Sequence, residues 1–231
     1  MLTKNLAFTR LSEKGISMSD RLIHQNQPVL ASGTVLENAQ GAVILLHGRG
    51  STAQSILGLA AELPQESIAY LAPQAAHQTW YPNSGFIPIE ANEPYVSSAF
   101  QTISNLLVQI TDAGIAPDRV ILGGFSQGAC LAAEFVARHP KRYGGLFVLS
   151  GALLGPPDSP RHYTGSLDGT PILVAGCDRD SWVTEQQLRL TAQVMQELGG
   201  KVHLEIQPGT DHTVRQTEIA YINDTLFQTF R

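Results

Sequence analysis

The stretch Gly123-Gly124-Phe125-Ser126-Gln127-Gly128-Ala129 decides how the rest of this 231-residue chain is interpreted. It contains the pattern G-x-S-x-G and lies between the apolar run Val120-Ile121-Leu122 and a long apolar segment of helical character. A serine in such a strand–turn–helix context is typical of a nucleophile presented on a sharp turn. The alternative is a tight turn whose serine only caps the following helix. The pentapeptide alone leaves both interpretations open.

Strands and helices alternate on both sides of this stretch. Apolar, β-branched runs predict strands at residues 42–46, 68–72, 120–122, 145–149, 171–175 and 202–206. Segments with apolar residues at helical spacing lie between them. The alternation predicts an α/β fold with a mostly parallel central sheet and helices on both faces. Shorter apolar pieces at residues 22–36 predict one or two edge strands.

Composition and charge narrow the class of protein. The chain is 43% hydrophobic and 15% charged, which fits a single α/β domain over residues 21–231, preceded by a loosely packed N-terminal extension over residues 1–20. The net charge of -5 gives no electrostatic reason to expect nucleic acid or anionic lipid as a partner. No apolar run has the length of a signal-peptide core or a membrane span, so we expect a cytoplasmic protein without stable membrane insertion.

Polar residues that could take part in catalysis follow several of the predicted strands. They lie in His47-Gly48-Arg49-Gly50, in the Ser126 turn, in Asp178 to Asp180, and in Asp211-His212. Loops at the carboxyl ends of parallel strands meet at one edge of the sheet. The chain order Ser, Asp, His is the one that α/β-hydrolases use. This agreement between loops favours Ser126 as a nucleophile over a capping serine.

Each of these residue types has a role in acyl transfer. Ser126 needs a base, and His212 would take its proton during attack and return it to the leaving group. A buried aspartate, which we assign to Asp180, would orient the imidazole and stabilise the imidazolium. Two backbone N–H groups must point at the developing oxyanion. We assign them to Arg49, after the first strong strand, and to Gln127, after the nucleophile.

The segment between Pro73 and Pro94 has no clear periodicity but contains several aromatic residues. Apolar segments of this length without regular structure are uncommon in a compact domain unless they line a site. We therefore predict that Trp80 and Tyr81 line the substrate pocket, with burial in the core as the alternative.

The other candidate side chains are not expected to take part in catalysis. We expect His47 to brace its loop and Asp211 to cap the last helix. The Arg49 side chain is expected either to bind an anionic substrate group or to be solvated. Cys130 and Cys177 lie in apolar segments and are expected to be buried thiols, and no metal site is indicated. Surface or helix-end positions are expected for His24, His77, His139, His162 and His203.

At these positions the sequence resembles the phospholipase/carboxylesterase family of serine hydrolases, which includes acyl-protein thioesterases and small bacterial carboxylesterases. The matching pieces are Leu46 to Gly50, Ala72-Pro73-Gln74, Thr79-Trp80-Tyr81, Gly124 to Ala129, the Asp180 region, and Gly209 to Thr213. The resemblance implies a compact α/β-hydrolase fold without a large cap domain. It also implies hydrolysis of esters or thioesters without a cofactor, often by a homodimer.

The acid loop departs from the pattern of the family. Its members usually have G-x-x-D-x-x-V, whereas Gly176 and Asp180 are one residue further apart here. Asp180 keeps the three-residue step to Val183, while Asp178 lies nearer the end of the strand. We prefer Asp180 because the segment that enters the next helix should fix its position. Asp178 is the alternative.

The sequence therefore predicts a serine carboxylesterase that hydrolyses small carboxylic esters through an acyl-enzyme on Ser126. The expected partner is a small-molecule ester, and no cofactor is expected. The alternative is an acyl-thioesterase or lysophospholipase acting on longer acyl chains, which would need a channel for a fatty chain. A non-catalytic protein that keeps the scaffold to bind a ligand is a third interpretation. It is disfavoured because each catalytic position holds a competent residue.

Overall fold

A seven-stranded sheet forms the centre of the molecule. The computed structural model describes residues 22–64 and 66–230, and the predicted extension over residues 1–20 lies outside them. The strand order is β1-β3-β2-β4-β5-β6-β7. The antiparallel pair is β1 with β3, and the other neighbouring strands are parallel. The strands are β1 Val29–Gly33, β2 Gly41–Leu46, β3 Ile68–Pro73, β4 Val120–Phe125, β5 Gly145–Leu149, β6 Pro171–Cys177 and β7 Lys201–Gln207.

Five α-helices of the described residues cover both faces of the sheet. They are α1 Ala53–Ala60, α2 Tyr95–Asp112, α3 Gln127–Arg138, α4 Glu185–Glu197 and α5 Gln216–Phe230. Alternate residues of β2 belong to different apolar clusters: Ile44 to the cluster that contains residues of α2, α3 and α4, and Val43 to the cluster that contains residues of α1 and α5. Burial on both faces explains the continuous apolar runs. The predicted α/β architecture is confirmed, and the predicted edge region contains one strand, β1.

Two helices begin at side-chain caps. Thr52 precedes α1, and its hydroxyl accepts a hydrogen bond from Ser55 N–H at 3.1 Å. Thr184 precedes α4 and forms a capping box with Gln187, in which each side chain accepts a hydrogen bond from the backbone N–H of the other residue. These caps fix where each helix begins. None of the helices described in the structure has the length and apolar character needed to cross a membrane.

Ser126 occupies a strained turn between β4 and α3. Its backbone has φ 54° and ψ −119°, in a region that non-glycine residues rarely adopt. The turn is tight because two glycines let backbones approach. A Cβ on Gly124 would lie 2.6 Å from the carbonyl carbon of Gly128, and a Cβ on Gly128 would overlap the carbonyl oxygen of Leu46. The glycines therefore allow β2, β4 and α3 to meet beneath the serine.

We expect Gly128→Ala to lower the free energy of unfolding by about 3 kcal/mol, because the added methyl group meets backbone that cannot move aside. Gly58→Ala is the matched control, since Gly58 lies in α1 with no atom within 4 Å of an added Cβ. That change should raise stability by roughly 0.5–1 kcal/mol. Urea unfolding measures both variants. Equal effects of the two substitutions would contradict the close-approach argument.

Candidate active site

Ser126, Asp180 and His212 meet at the carboxyl edge of the sheet, although they are far apart in the sequence. His212 Nε2 lies 2.8 Å from Ser126 Oγ, and His212 Nδ1 lies 2.6 Å from Asp180 Oδ2. The side chain of Asp180 is 1% exposed and that of His212 is 21% exposed. An ionised carboxylate only accepts hydrogen bonds, so Nδ1 carries the imidazole proton. Nε2 is then free to accept the proton of the serine hydroxyl.

The two aspartates of the acid loop have different partners. Asp180 Oδ1 accepts hydrogen bonds from Trp182 N–H at 2.7 Å and Val183 N–H at 3.3 Å, which aims Oδ2 at the histidine. Asp178 Oδ1 instead accepts a hydrogen bond from Gly209 N–H at 2.8 Å. This hydrogen bond lowers the pKa of Asp178. Asp178 therefore ties the acid loop to the histidine loop, and Asp180 is the carboxylate that contacts the imidazole.

The loop that carries His212 is held from two sides. The ring of Phe125 packs against the imidazole with a centroid distance of 4.9 Å. Arg215 Nη2 donates to the carbonyl of Asp211 at 3.4 Å, and Arg215 N–H donates to the buried Glu218 at 3.1 Å. The predicted capping role of Asp211 is wrong, because α5 begins only at Gln216. Asp211 instead supplies a carbonyl through which Arg215 holds the loop.

The two residues predicted to supply the oxyanion donors, Arg49 and Gln127, line the same cleft as Ser126. Arg49 follows β2, and Gln127 is the first residue of α3. Within the described part of the chain, neither backbone N–H has a protein acceptor. Both polar atoms of the Gln127 side chain have partners: Oε1 accepts from Trp80 N–H at 2.8 Å, and Nε2 donates to the Tyr81 carbonyl at 2.8 Å. Gln127 therefore clamps the neighbouring loop through its side chain while its N–H remains available.

The side chain of Arg49 also belongs to the frame of the site. Nη1 donates to the Pro82 carbonyl at 2.7 Å, and Nη2 donates to the Asn83 carbonyl. The guanidinium lies 5.8 Å from the centroid of the Tyr81 ring. Arg49 is exposed, in agreement with the expectation that its side chain is solvated, although the guanidinium also has these protein partners. Binding of an anionic substrate group stays a prediction. Arg49 joins the loop that carries its own N–H to the loop that follows Tyr81.

Trp80 is fully buried, with 0% exposure, so the prediction that it lines the pocket is wrong. Its indole N–H donates to the His47 carbonyl at 2.9 Å. Its ring packs against His47 and His24 with centroid distances of 5.1 and 5.3 Å. His24 is 1% exposed rather than at the surface. Nothing near His24 in the sequence indicates this position, because its partner Trp80 is 56 residues away.

A cleft of about 970 Å³ opens at the Ser126 hydroxyl. Tyr81 lines it, as predicted for this residue. One side is lined by Tyr81, Phe86, Cys130 and Val183, which belong to the core cluster of α2, α3 and α4. The other side is lined by Ile56, Leu59, Phe125, Val214 and Ile219, which belong to the cluster of α1 and α5. The cleft is thus lined by apolar residues of both core clusters, and we call the parts lined by the two clusters its two arms.

A model of the phospholipase/carboxylesterase family matches residues 29–229. The chain belongs to this family. Acyl-protein thioesterase 1 of Debaryomyces hansenii is 26% identical over 227 residues, covering 86% of this chain and 97% of that protein. Acyl-protein thioesterase 1 of Saccharomyces cerevisiae is 30% identical over 169 residues, covering 63% of this chain and 72% of that protein.

Solved structures support the same assignment. The phospholipase/carboxylesterase from Dyadobacter fermentans is 31% identical with a TM-score of 0.84, covering 87% of this chain and 97% of that one. The Bacillus cereus carboxylesterase is 13% identical with a TM-score of 0.68 over 88% of this chain and 95% of that one, which shows a shared fold. The α/β-hydrolase fold is confirmed, and the chain is a serine hydrolase by family.

Two buried histidines in this hydrolase are held in the neutral form. His24 Nδ1 accepts from Ala76 N–H at 3.1 Å, and His47 Nε2 accepts from Ala75 N–H at 3.0 Å. A protonated imidazole could not accept either hydrogen bond. Burial lowers the pKa of both His24 and His47. The folded state therefore takes up these protons at lower pH than the unfolded state does.

Acidification should destabilise the folded protein. The folded-state pKa of His24 and of His47 lies below the unfolded value of about 6.5. The contribution of these neutral histidines to the free energy of unfolding is therefore complete above that pH and declines as the pH falls below it. We expect the free energy of unfolding in urea to decrease from pH 7.5 to pH 5.0. His24→Gln should show a shallower decrease of the free energy of unfolding than the parent protein over the same pH range. A parental slope in His24→Gln would contradict this origin.

Proposed function

We propose that this protein is a carboxylesterase that cleaves carboxylic esters through an acyl-enzyme on Ser126. The observation that carries the proposal is the continuous hydrogen-bond chain from Ser126 Oγ through His212 to the buried Asp180, at the mouth of an apolar cleft. A serine that only capped α3 would need neither the histidine nor the aspartate. The proposed partner is a small-molecule ester.

The first half of the reaction forms the acyl-enzyme. Ser126 Oγ attacks the carbonyl carbon of the ester while His212 Nε2 takes the hydroxyl proton. The carbonyl oxygen becomes negatively charged and accepts hydrogen bonds from the N–H groups of Arg49 and Gln127. Asp180 stabilises the imidazolium without taking its proton. When the tetrahedral intermediate collapses, the carbon–oxygen bond to the alcohol breaks and His212 returns the proton to the leaving oxygen.

The second half of the reaction releases the acid. Water enters in place of the alcohol, and His212 removes a proton from it as it attacks the acyl carbon. The same two N–H groups stabilise the second oxyanion. Collapse of this intermediate breaks the bond to Ser126 Oγ, which recovers its proton from His212. The site regenerates without a cofactor or a change of oxidation state.

A second candidate is hydrolysis of acyl thioesters or lysophospholipids with longer acyl chains. The yeast relatives named as acyl-protein thioesterases and the two apolar arms of the cleft support it. Oxygen esters and thioesters with acyl chains of four to sixteen carbons would separate the candidates. A rate maximum at short oxygen esters supports the carboxylesterase proposal. A maximum at long thioesters supports the alternative.

We expect Ser126→Ala to lower kcat for p-nitrophenyl butyrate by about 10⁵-fold, because no other group can form the acyl-enzyme. Asp180→Asn should lower kcat by about 10⁴-fold, since the imidazole loses its oriented tautomer. Asp178→Asn is the matched control: it weakens the hydrogen bond to Gly209 and the ion pair with Arg179 but leaves Asp180 against the imidazole, so its kcat should fall less than about ten-fold. Parental activity in Asp180→Asn would exclude that aspartate as the catalytic acid.

Arg49→Lys should lower kcat/KM roughly ten-fold, because a single ammonium cannot bind two carbonyls as the planar guanidinium does. Without the two hydrogen bonds from the guanidinium, the loop that carries the Arg49 N–H should move relative to Tyr81. Arg189→Lys is the control, since Arg189 lies on the exposed side of α4 and pairs with Glu185. Steady-state kinetics and melting temperature are measured for both. If Arg49→Lys and Arg189→Lys have the same kcat/KM, the Arg49 guanidinium has no positioning role.

A further inference from the structure

One arm of the cleft runs between α1 and α5, and we call it the α1–α5 trough. Its apolar wall consists of Ile56, Leu59, Phe125, Val214 and Ile219. The eight residues of α1 extend about 12 Å away from the Arg49 loop at 1.5 Å per residue. Glu62 lies just beyond the end of α1 and also lines the cleft. The trough therefore has an apolar wall, polar side chains such as Ser55 and Gln216 beside it, and a carboxylate just beyond the end of α1.

The position of the general acid relates this trough to the leaving group. His212 Nε2 must deliver its proton to the leaving oxygen, so the alcohol departs on the imidazole side of the scissile carbonyl. Two residues of the trough wall lie near the imidazole: the Phe125 ring packs against it with a centroid distance of 4.9 Å, and Val214 follows His212 by two residues in the chain. The arm lined by Tyr81 and Phe86 is then left for the acyl chain.

The charges of the cleft differ between its two arms. Its charged lining residues within the described part of the chain are Arg49 and Glu62, beside the catalytic His212. The Arg49 guanidinium already donates to the carbonyls of Pro82 and Asn83. Glu62 has a neutral partner, because its Oε2 accepts from Gln216 Nε2 at 3.1 Å. The outer end of the trough thus presents a negative charge that no cation of the lining neutralises.

We propose that the α1–α5 trough binds the alcohol moiety of the ester, and that Glu62 selects alcohols with an apolar body and a cationic end. This inference rests on the proposed ester hydrolysis at Ser126. In the acylation step the bond between the acyl carbon and the alcohol oxygen breaks, and the His212 proton joins that oxygen. The alcohol leaves with its distal cation unchanged. Glu62 acts in binding and takes no part in proton transfer.

Butyrate esters with matched alcohols test the charge selection. Choline butyrate is cationic, 3,3-dimethylbutyl butyrate is its neutral isostere, and 3-sulfopropyl butyrate is anionic. We expect kcat/KM for the choline ester to exceed that of the neutral isostere by roughly three- to ten-fold at low salt, with the anionic ester slowest. The preference should shrink in 0.5 M NaCl.

Glu62→Gln should bring the choline-to-isostere ratio of kcat/KM close to one. Glu66→Gln, an equal charge change at an exposed position outside the cleft lining, is the matched control and should keep the parental ratio. A parental ratio in Glu62→Gln overturns the charge selection. Equal losses in both variants overturn it as well, because the effect would then come from the net charge of the protein.

Leu59→Trp tests which moiety occupies the trough. Leu59 is half-buried on the wall, so a larger side chain should obstruct the channel. We expect the hexyl-to-methyl ratio of kcat/KM for butyrate esters to fall about ten-fold. The octanoate-to-butyrate ratio for methyl esters should stay at the parental value. A fall in the acyl-length ratio instead would place the acyl chain in the trough and overturn the proposal.

The wild-type protein separates failure of this inference from failure of the proposed function. If a fluorophosphonate labels Ser126 and p-nitrophenyl butyrate is hydrolysed, but all alcohols react at similar rates, only the trough assignment is overturned. If neither labelling nor hydrolysis occurs in correctly folded protein, the ester hydrolysis itself is contradicted, and the trough assignment fails with it. Circular dichroism of each variant verifies that the fold is retained.

Discussion

The close approach of β2, β4 and α3 at Gly124 and Gly128 is the constraint on which the site depends. Without side chains at these positions, the backbone can hold Ser126 at φ 54° above the end of the sheet. The same turn makes Gln127 the first residue of α3, so its N–H lies next to the nucleophile. Strain of this kind persists only where the surrounding packing fixes it. The buried apolar helix α3 supplies that packing.

The buried polar groups around the Ser126 turn hold one arrangement because each of them needs a hydrogen-bond partner. Gln127 donates to and accepts from the backbone at Trp80 and Tyr81, while the Trp80 indole donates to the carbonyl of His47. His24 supports the same segment from below. Each hydrogen bond satisfies a group whose burial would otherwise cost free energy. A segment without helix or strand periodicity thereby acquires one conformation, and the Tyr81 side of the cleft becomes a defined wall.

Local patterns predict the elements of this fold better than they predict its long-range contacts. The strand at 145–149 is observed as predicted. Its residues are buried on both faces of the sheet, and they therefore form one continuous apolar run in the sequence. β6 extends two residues beyond its apolar run, to Cys177, because Gly176 and Cys177 pair with Ile206 and Gln207 of β7. The places of Trp80 and His24 follow from contacts across tens of residues, which no local pattern encodes. The chain order and loop positions of Ser126, Asp180 and His212 were enough to predict that these residues meet at one edge of the sheet.

The acid loop, which is one residue longer than the family pattern G-x-x-D-x-x-V, is held on both sides of Asp180. Residues 178 and 179 continue to pair beyond β6: Asp178 N–H donates to the Gln207 carbonyl at 3.0 Å, and Arg179 N–H donates to the Gly209 carbonyl at 3.1 Å. The additional residue is absorbed on this upstream side. Asp180 is positioned from the downstream side, by N–H groups that lead into the capping box of α4. Pairing with the β7 side before Asp180 and the N–H groups after it thus hold the carboxylate from both directions.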